Sequence, residues 1–323
     1  MRASCGALTF AMSSPALPPA VPGQPYCNVS ALEGGFLTLP CSLTINNAAA
    51  GETLYVPSLS FLLQHSRSGE RFIVDLGIRK DFATNTNTPP AVRERVMKVF
   101  NPHIDQDVID SLAKGGTKPE EIEHVCLTHC HWDHIGDTHP FTNAQFVVGG
   151  ACRELFRPGY PGDPKSAFAS DILPEGRTLF ISPNDTIAGT GENRWSSLGP
   201  LPHAYDYFGD GSLYVIDAPG HLAGHVNVLA RTSADGGWIY LAGDSAHDWR
   251  LVRGQSGIAC DRNEHGHITR CVHADPETAK LTTERITKLL DYPKVRVLLA
   301  HDDEFWNDEG NRTAFWPGRI PSL

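Results

Sequence analysis

The stretch THCHWDHIGD, residues 128–137, places three histidines and two aspartates within ten positions. It overlaps the end of the apolar run HVCLT (124–128), which has the composition of a short buried strand. Burying several uncompensated polar groups at one place is costly in free energy, so ordinary core packing does not account for the cluster. The stretch is therefore predicted to bind an ion or a ligand at the end of a strand.

Composition limits the kind of partner that the chain can bind. The 323 residues are 41% hydrophobic, which is enough for a large core. The formal net charge of −10 and the lack of a Lys/Arg run argue against nucleic acid and against an anionic membrane surface. No apolar run approaches the ~20 residues that cross a bilayer. We therefore expect a small-molecule substrate, and we leave a homodimer open.

The eight cysteines are scattered without any C-x-x-C pair, which favours reduced thiols in a cytoplasmic protein. The N-terminus is a poor signal peptide, although secretion is not excluded by it. Residues 1–25, rich in Pro, Ala and Ser, are predicted as a flexible N-terminal arm. Residues 26–323 are predicted as a single domain.

Within that domain, apolar runs predict strands and helical spacing predicts helices between them. The interval of about 151–209 mixes Pro, Gly and aromatic residues and is predicted as a loop-rich insertion. This order of elements is typical of a layered α/β domain. The predicted strands cover 59–65, 71–78, 124–129 and 144–150, together with the runs ending at 221, 244 and 301, and the predicted helices cover 91–100, 107–116 and 276–290.

Four of the predicted strands end in residues that can bind a metal. The cluster at His129 follows one strand, and His221, Asp244 and His301 follow three others. A single histidine beside an apolar strand is usually structural, but the recurrence at four strand ends favours a shared site.

The spacing within the cluster suits a metal centre. His129 and His131 lie on one side of an extended segment because Cys130 between them points the other way. Asp133 and His134 follow in a bend and can reach a second position. Imidazole and carboxylate groups together suit zinc, and two zinc ions need about three protein ligands each. Cys126, in the apolar run, is interpreted as a buried thiol rather than a ligand.

The pattern T-H-x-H-x-D-H, followed by a single His, Asp and His at later strand ends, resembles the metallo-β-lactamase superfamily. The resemblance runs from about Phe61 to His301. It implies a four-layer αββα sandwich with the metal site at one edge of two facing sheets. It also implies two zinc ions: one held by His129, His131 and His221, the other by Asp133, His134 and His301, with Asp244 bridging both. His225 would support the ligands without binding a metal.

Within the superfamily the chain is most similar to N-acyl homoserine lactone lactonases. The shared features are VDLG (74–77), FTNA (141–144) and the final His301-Asp302 pair. Those lactonases carry a tyrosine three residues after the bridging Asp, where this chain has His247. The resemblance implies that a metal-bridging hydroxide attacks a carbonyl and opens a small lactone or lactam ring. Asp133 would handle the proton of the leaving group, and His247 would assist the carbonyl oxygen.

Other readings of the same ligands stay open. Glyoxalase II-like thioesterases share all seven ligands, but only 22 residues follow His301 here, which leaves little room for their C-terminal substrate domain. Mononuclear iron persulfide dioxygenases resemble the pattern too, and a metal-stabilised binding protein without turnover is a third class. Six aromatic residues are candidates for the wall of a substrate pocket: Phe156, Tyr160, Trp195, Tyr205, Tyr207 and Phe208.

Overall fold

A computed structural model describes residues 16–183 and 195–323. In this part of the chain the strands are β1 (Cys27–Pro40), β2 (Thr53–His65), β3 (Arg71–Val74), β4 (His124–Cys126), β5 (Gln145–Gly149), β6 (Thr178–Ile181), β7 (Trp195–Leu198), β8 (Leu201–Asp206), β9 (Leu213–Asp217), β10 (Val226–Arg231), β11 (Trp238–Leu241), β12 (Cys260–Arg262), β13 (Ile268–Cys271) and β14 (Val295–Leu298).

These strands form two large sheets and one small hairpin. The first sheet has the order β1-β2-β3-β4-β5-β6, antiparallel from β1 to β3 and parallel from β3 to β6. The second has the order β14-β11-β10-β9-β8-β7, in which β14 and β11 are parallel and the other neighbours are antiparallel. Because parallel neighbours end at the same edge of a sheet, the loops that follow β3, β4 and β5 lie together.

Short helices flank the sheets: α1 (Pro90–Val99), α2 (Val108–Ala113), α3 (Trp249–Val252), α4 (Pro276–Leu289) and α5 (Asp303–Asn307). Helix α2 begins with a capping box between Asp107 and Asp110. Helix α4 begins where the Asp275 carboxylate accepts a hydrogen bond from the Thr278 backbone N–H at 3.1 Å, with proline in the first turn. Segments of 3₁₀ helix cover Cys41–Leu43, Pro119–Glu121, Gly150–Phe156 and Glu309–Ala314.

The two large sheets pack face to face over a core of apolar side chains drawn from both. Val108 and Leu112 of α2 pack on the outer face of the first sheet. Ile286 and Leu289 of α4 pack on the outer face of the second. The predicted four-layer αββα sandwich is confirmed.

All the strands and helices that the sequence predicted outside 151–209 have counterparts, although β3 and β4 are shorter than expected. The sequence did not predict strand β1, strand β10, the β12–β13 hairpin or the short helices α3 and α5. The pattern of β1 is interrupted by a bulge between Glu33 and Phe36, where Gly34 packs against Gly77. A Cβ atom on Gly34 would lie 2.7 Å from the Gly77 Cα atom, so this close approach requires glycine.

The interval 151–209 differs in part from the loop-rich insertion that the sequence suggested. Its described residues include β6, which extends the first sheet, and β7 and β8, which extend the second. These strands are only four to six residues long and are separated by Gly and Pro, so their period is hard to detect in the sequence. The interval thus completes both sheets.

The end of the predicted N-terminal arm lies against the second sheet. The Arg231 guanidinium on β10 donates hydrogen bonds to the carbonyl oxygens of Pro18 and Pro19, at 2.8 and 3.1 Å. The Gln24 side chain donates to the Asp210 carbonyl oxygen at 2.9 Å. Residues 1–15 of the predicted arm lie outside the described residues. Among the described helices, none has the length and apolar character that a bilayer crossing requires.

Candidate metal centre

The residues that the sequence singled out meet at one edge of the sandwich. His129, His131, Asp133 and His134 lie in the loop that follows β4. The other three come from the second sheet: His221 follows β9, Asp244 follows β11 and His301 follows β14. Six of the seven side chains are buried, and His131 is half-buried. The two facing sheets therefore direct their loops into a common, largely water-excluded site.

The first group of ligand atoms converges around the His131 imidazole. Its Nδ1 atom lies 2.9 Å from His129 Nε2 and 2.9 Å from His221 Nε2. The Asp244 carboxylate completes the group, with Oδ2 at 3.6 Å from His129 Nε2 and 3.4 Å from His221 Nε2. One ligand atom from each of these four residues lies within 4.8 Å of the others.

The second group contains Asp133, His134 and His301, whose ligand atoms also lie within 4.8 Å of one another. His301 Nε2 lies 3.5 Å from Asp133 Oδ2 and 3.4 Å from Asp244 Oδ1. His134 Nε2 lies 3.2 Å from Asp244 Oδ1. One carboxylate oxygen of Asp244 therefore faces each group, which is the arrangement that a bridging carboxylate requires.

Hydrogen bonds at the far side of the rings fix the tautomers of three histidines. His134 Nδ1 donates to Asp75 Oδ2 at 2.7 Å, and His301 Nδ1 donates to the Pro57 carbonyl oxygen at 2.9 Å. His129 Nδ1 lies 3.1 Å from the Thr128 hydroxyl oxygen. That hydroxyl donates its own proton to Asp75, so it accepts from the imidazole. Each ring consequently presents the lone pair of Nε2 to the site, as metal ligands must.

Asp75 organises the loop that carries the cluster. It follows β3 with φ of 59°, an unusual backbone conformation that aspartate tolerates better than most residues. Its carboxylate accepts hydrogen bonds from the Thr128 backbone N–H at 2.7 Å and the Thr128 hydroxyl at 2.8 Å, in addition to the bond from His134. A single carboxylate thus orients ligands of both groups.

The electrostatics of the site favour a cation. Burial lowers the pKa of His131 to about 4, an effect that the nearby Asp133 carboxylate only partly offsets. Burial also disfavours the charged form of His301, but Asp244 and Asp133 outweigh it and raise the pKa of that imidazole to about 10. Two buried carboxylates therefore create a negative field, and a divalent metal can occupy it in place of protons.

The pattern of unpartnered polar atoms fits a metal as well. His134 Nε2 and Asp244 Oδ1 are buried and face each other, yet neither makes a hydrogen bond. Buried polar atoms are rarely left without a partner in native proteins. The donor set of imidazoles and carboxylates is that of zinc and related divalent ions. The residues present fit a metal centre with two positions.

His225 and the two nearby cysteines lie where the sequence suggested. His225 Nε2 accepts a hydrogen bond from the Asp244 backbone N–H at 3.1 Å, and its Nδ1 donates to the Ala218 carbonyl oxygen at 3.1 Å. It therefore supports the backbone of Asp244. Cys126 is buried between the sheets, and Cys130 is buried in the core cluster under α2.

His247 is buried and close to the ligands. Only 6% of the residue is exposed, and its Nε2 atom lies 3.1 Å from Asp244 Oδ2. The neighbouring Asp248 turns away, caps α3 and pairs with Arg250 at 2.7 Å. His247 is therefore not a surface residue beside Asp248, since the short turn after β11 directs the imidazole inward.

His273 is the residue at this site that sequence reasoning missed. It lies just beyond β13, is 3% exposed, and places its Nδ1 atom 3.2 Å from Nδ1 of His221. His221, His247 and His273 form a third group whose nitrogen atoms lie within 4.8 Å of one another. No strand pattern marks His273 in the sequence, because RCVHADP precedes a helix rather than ending a recognisable apolar strand.

A cavity of about 350 Å³ opens beside the ligands. Its floor contains His131, His221, Asp244, His247 and His301. Its walls are mainly apolar and come from β1, the α1 region, the loop after β4 and residues 167–172. They include Leu37, Leu39, Phe82, Val92, Val96, Phe100, Trp132, Ile135, Phe168 and Ile172.

The six aromatic residues that the sequence offered as pocket candidates lie elsewhere. Tyr205 is buried between the sheets, and Trp195, Tyr207 and Phe208 pack against that core. Phe156 packs on Phe168, and Tyr160 pairs with Ala169 through the backbone. That expectation is corrected: β7 and β8 join the edge of the second sheet, so their aromatic side chains are used for packing.

Comparisons with known proteins agree with this architecture. The family model described as "Metallo-beta-lactamase superfamily" matches residues 55–244. Among curated proteins, cytochrome P450 monooxygenase mpaDE' of Penicillium brevicompactum is 29% identical over 82% of this chain and 31% of that protein. Gamma-lactamase FDB1 of Fusarium pseudograminearum is 31% identical over 65% of this chain and 50% of that protein. N-acyl homoserine lactonase AttM of Rhizobium radiobacter is 28% identical over 57% of this chain and 64% of that protein.

The chain spans about a third of the length of mpaDE' and half of that of FDB1. Among solved structures, an AiiA mutant of B. thuringiensis with N-decanoyl-L-homoserine at its active site superposes with a TM-score of 0.66. The two are 18% identical, over 91% of this chain and 98% of that one. The dizinc quorum-quenching lactonase AidC superposes with a TM-score of 0.55. The two are 12% identical, over 89% of this chain and 90% of that one. These structures share the fold. The family match over residues 55–244, which is more than half of the chain, establishes that the chain belongs to the metallo-β-lactamase superfamily.

Proposed function

We propose that the chain is a dinuclear zinc hydrolase that opens the ring of a small lactone or lactam. The observation that carries the proposal is the geometry of Asp244, whose two oxygens face two separate ligand groups at 3.2 to 3.6 Å. His129, His131 and His221 would hold one zinc ion, and Asp133, His134 and His301 the other. A merely structural zinc site is closed by four ligands, whereas these two groups share one carboxylate and border a cavity.

Zinc ions held at these two positions would supply Lewis-acid chemistry, lowering the pKa of water and polarising the scissile carbonyl. The protein residues do the rest. Asp244 neutralises charge between the two positions, and Asp75 keeps the His134 lone pair aimed at the site. Thr128 and Pro57 do the same for His129 and His301.

Two side chains are placed to act on substrate. His247 lies on the cavity floor beside Asp244, and from there its imidazole donates a hydrogen bond to the carbonyl oxygen as negative charge develops. Asp133 also borders the cavity; its carboxylate takes a proton from the attacking water and passes it to the leaving oxygen or nitrogen when the ring opens. Neither role needs a serine or cysteine nucleophile.

The cavity indicates the shape of the substrate. Its volume of about 350 Å³ suits one small molecule rather than a polymer. Phe82 and Phe100 flank the Trp132 ring, with centroids at 5.1 and 5.9 Å. This aromatic wall favours a lactone or lactam that carries an apolar or aryl body. The names of the relatives FDB1 and AttM, a gamma-lactamase and a lactonase, point to the same two bond types.

The test combines metal analysis with a substrate panel. The purified full chain should contain about two zinc ions per molecule. It should open small lactones or aryl-fused lactams faster than it cleaves thioesters. A single iron per chain with oxygen consumption on a persulfide, or activity confined to thioesters, would contradict the proposal. A chain that retains metal but hydrolyses none of the panel would point to a binding protein.

A further inference from the structure

The other ring nitrogen of His221 has an unusual partner. The Nδ1 atoms of His129, His134 and His301 face oxygen acceptors: a hydroxyl, a carboxylate and a carbonyl. His221 Nδ1 instead lies 3.2 Å from Nδ1 of His273. Metal-binding histidines commonly donate this hydrogen bond to an oxygen atom, so a second imidazole in that place calls for a physical explanation.

The hydrogen-bond network assigns the protons of this pair. His221 Nε2 lies among the ligand atoms, 2.9 Å from His131 Nδ1, and must offer a lone pair there. The His221 proton therefore sits on Nδ1 and is donated to His273. A neutral His273 that accepts at Nδ1 must carry its own proton on Nε2. The pair thus has one consistent arrangement of protons.

His273 occupies a rigidly built position. The backbone N–H of Ala274 donates to the His221 carbonyl oxygen at 2.9 Å, and that of Asp275 donates to the Gly220 carbonyl oxygen at 2.9 Å. These bonds tie the segment after β13 to the loop that carries His221. Gly220 has φ of 128°, and a Cβ atom there would lie 2.3 Å from the Ala279 backbone nitrogen, so α4 also packs tightly against this loop.

Burial of His273 in this position is unfavourable in free energy. Its Nε2 atom is buried and has no hydrogen-bond partner, although the residue is only 3% exposed. A leucine would fill such a position without burying an unpartnered donor, so packing alone does not explain the imidazole. The His273 ring also lies between two rings of the site, with centroids 5.0 Å from His221 and 5.2 Å from His247.

We infer that His273 is a positioning residue that accepts the Nδ1 proton of His221 and thereby holds that imidazole in the tautomer and orientation that bind the first metal. The inference rests on the proposed role of His221 as a metal ligand. His273 does not touch the reacting atoms; it acts through His221. Loss of the acceptor should weaken the first metal position more than the second, because His134 and His301 have their own partners.

Three variants separate acceptor loss from loss of packing. His273→Asn keeps an amide group near the place of Nδ1, His273→Gln moves the amide toward the place of Nε2, and His273→Leu removes both. For Leu and Gln we expect zinc affinity at the first position to fall by about ten- to a hundredfold, measured by chelator competition on the full chain. Asn should restore affinity to within about threefold of wild type. In the cobalt-substituted protein, the visible absorption spectrum of His273→Asn should resemble that of wild type, and the spectra of His273→Gln and His273→Leu should differ from it.

His65 provides a matched control. It is a buried histidine, 4% exposed, that pairs with Asp210 at 3.0 Å away from the metal centre. His65→Leu should lower thermal stability while zinc affinity and the cobalt spectrum stay unchanged. Wild-type affinity in all three His273 variants would overturn the inference. So would an equal loss in all three, because that would show a packing role without rescue by the acceptor.

A measurement on the wild-type chain covers the case in which the variants fail to fold. Long-range proton–nitrogen correlation spectra of the zinc-loaded protein should show His221 protonated at Nδ1 and His273 protonated at Nε2. The reverse tautomer at His273 would overturn the inference. Wild-type protein that binds no metal would instead contradict the proposed function, so the two failures are distinguishable.

Discussion

The ligand cluster and the cavity wall border the same site but are built differently. The seven candidate ligands lie at strand ends, and hydrogen bonds to Thr128, Asp75, His273 and Pro57 hold the rings of four of them: His129, His134, His221 and His301. In the wall, Phe82 and Phe100 each contact the Trp132 ring, with centroid distances of 5.1 and 5.9 Å. Hydrogen bonds thus fix the positions of the side chains that take part in the chemistry. The wall would instead bind the apolar body of a substrate through dispersion and desolvation.

This difference implies different responses to substitution. A change among the ligands should remove metal and turnover together. A change in the wall should alter substrate affinity while metal and the chemical step persist. The four predictions below test this division, beginning with the largest expected effect.

The largest effect is expected from His129→Ala or His131→Ala. Each variant removes one of three imidazoles of the first group, so zinc content should fall and kcat/KM should drop by about a thousandfold or more. The fold should persist, because the core between the sheets does not depend on metal. Metal analysis, turnover and circular dichroism on the same preparation check this. Full activity with undiminished zinc would remove these residues from the site.

Asp244→Asn should have the next largest effect. The amide is nearly isosteric, but it lacks the charge that offsets two dications, and one of its two ends cannot act as a ligand. We expect occupancy of one metal position to fall and kcat to drop by on the order of a hundredfold, with a smaller change in thermal stability. Metal titration and steady-state kinetics measure both. An unchanged metal count and rate would show that Asp244 does not bridge.

The sequence was informative about the ligands for a physical reason. Strand ends in a layered sheet converge on one edge, so His221, Asp244 and His301 could be assigned to a common site even though 80 residues separate the first from the last. The close spacing of His129, His131 and His134 was enough to assign the remaining ligands to the same site. Local pattern and topology agreed there.

The sequence was less informative where contacts depend on packing between distant segments. Residues of β1, the α1 region and 167–172 form the cavity wall, and no short pattern links them. His273 reaches His221 only because the β12–β13 hairpin and α4 place it there. The aromatic residues of β7 and β8 were assigned to the pocket because an unrecognised strand conceals which way its side chains point.

The third prediction concerns His247 and tests whether this residue binds a metal or acts on the substrate. His247→Ala should keep its zinc and lower kcat by about ten- to a thousandfold, as expected for loss of one hydrogen-bond donor to the developing oxyanion. His247→Tyr should recover part of the rate, since a phenol can donate from a similar place. Zinc loss in His247→Ala would make His247 a ligand, and unchanged kinetics would leave it without a role in turnover.

The smallest effect is expected from Phe168→Leu in the wall. Phe168 is half-buried, borders the cavity and packs on Phe156 at a centroid distance of 5.8 Å, away from the ligands. Removing its ring should raise KM about two- to tenfold for lactones with an apolar or aryl body, because an aromatic contact is worth about 0.5–1.5 kcal/mol. The kcat, the zinc content and the KM for a lactone without such a body should stay unchanged. Tyr55→Leu is a matched control, since Tyr55 is 55% exposed and stacks on Phe36 outside the cavity. Steady-state kinetics on a paired set of lactones check the result. A fall in kcat for Phe168→Leu on both substrates would contradict the division between wall and ligands, because it would show that the wall also positions the reacting atoms.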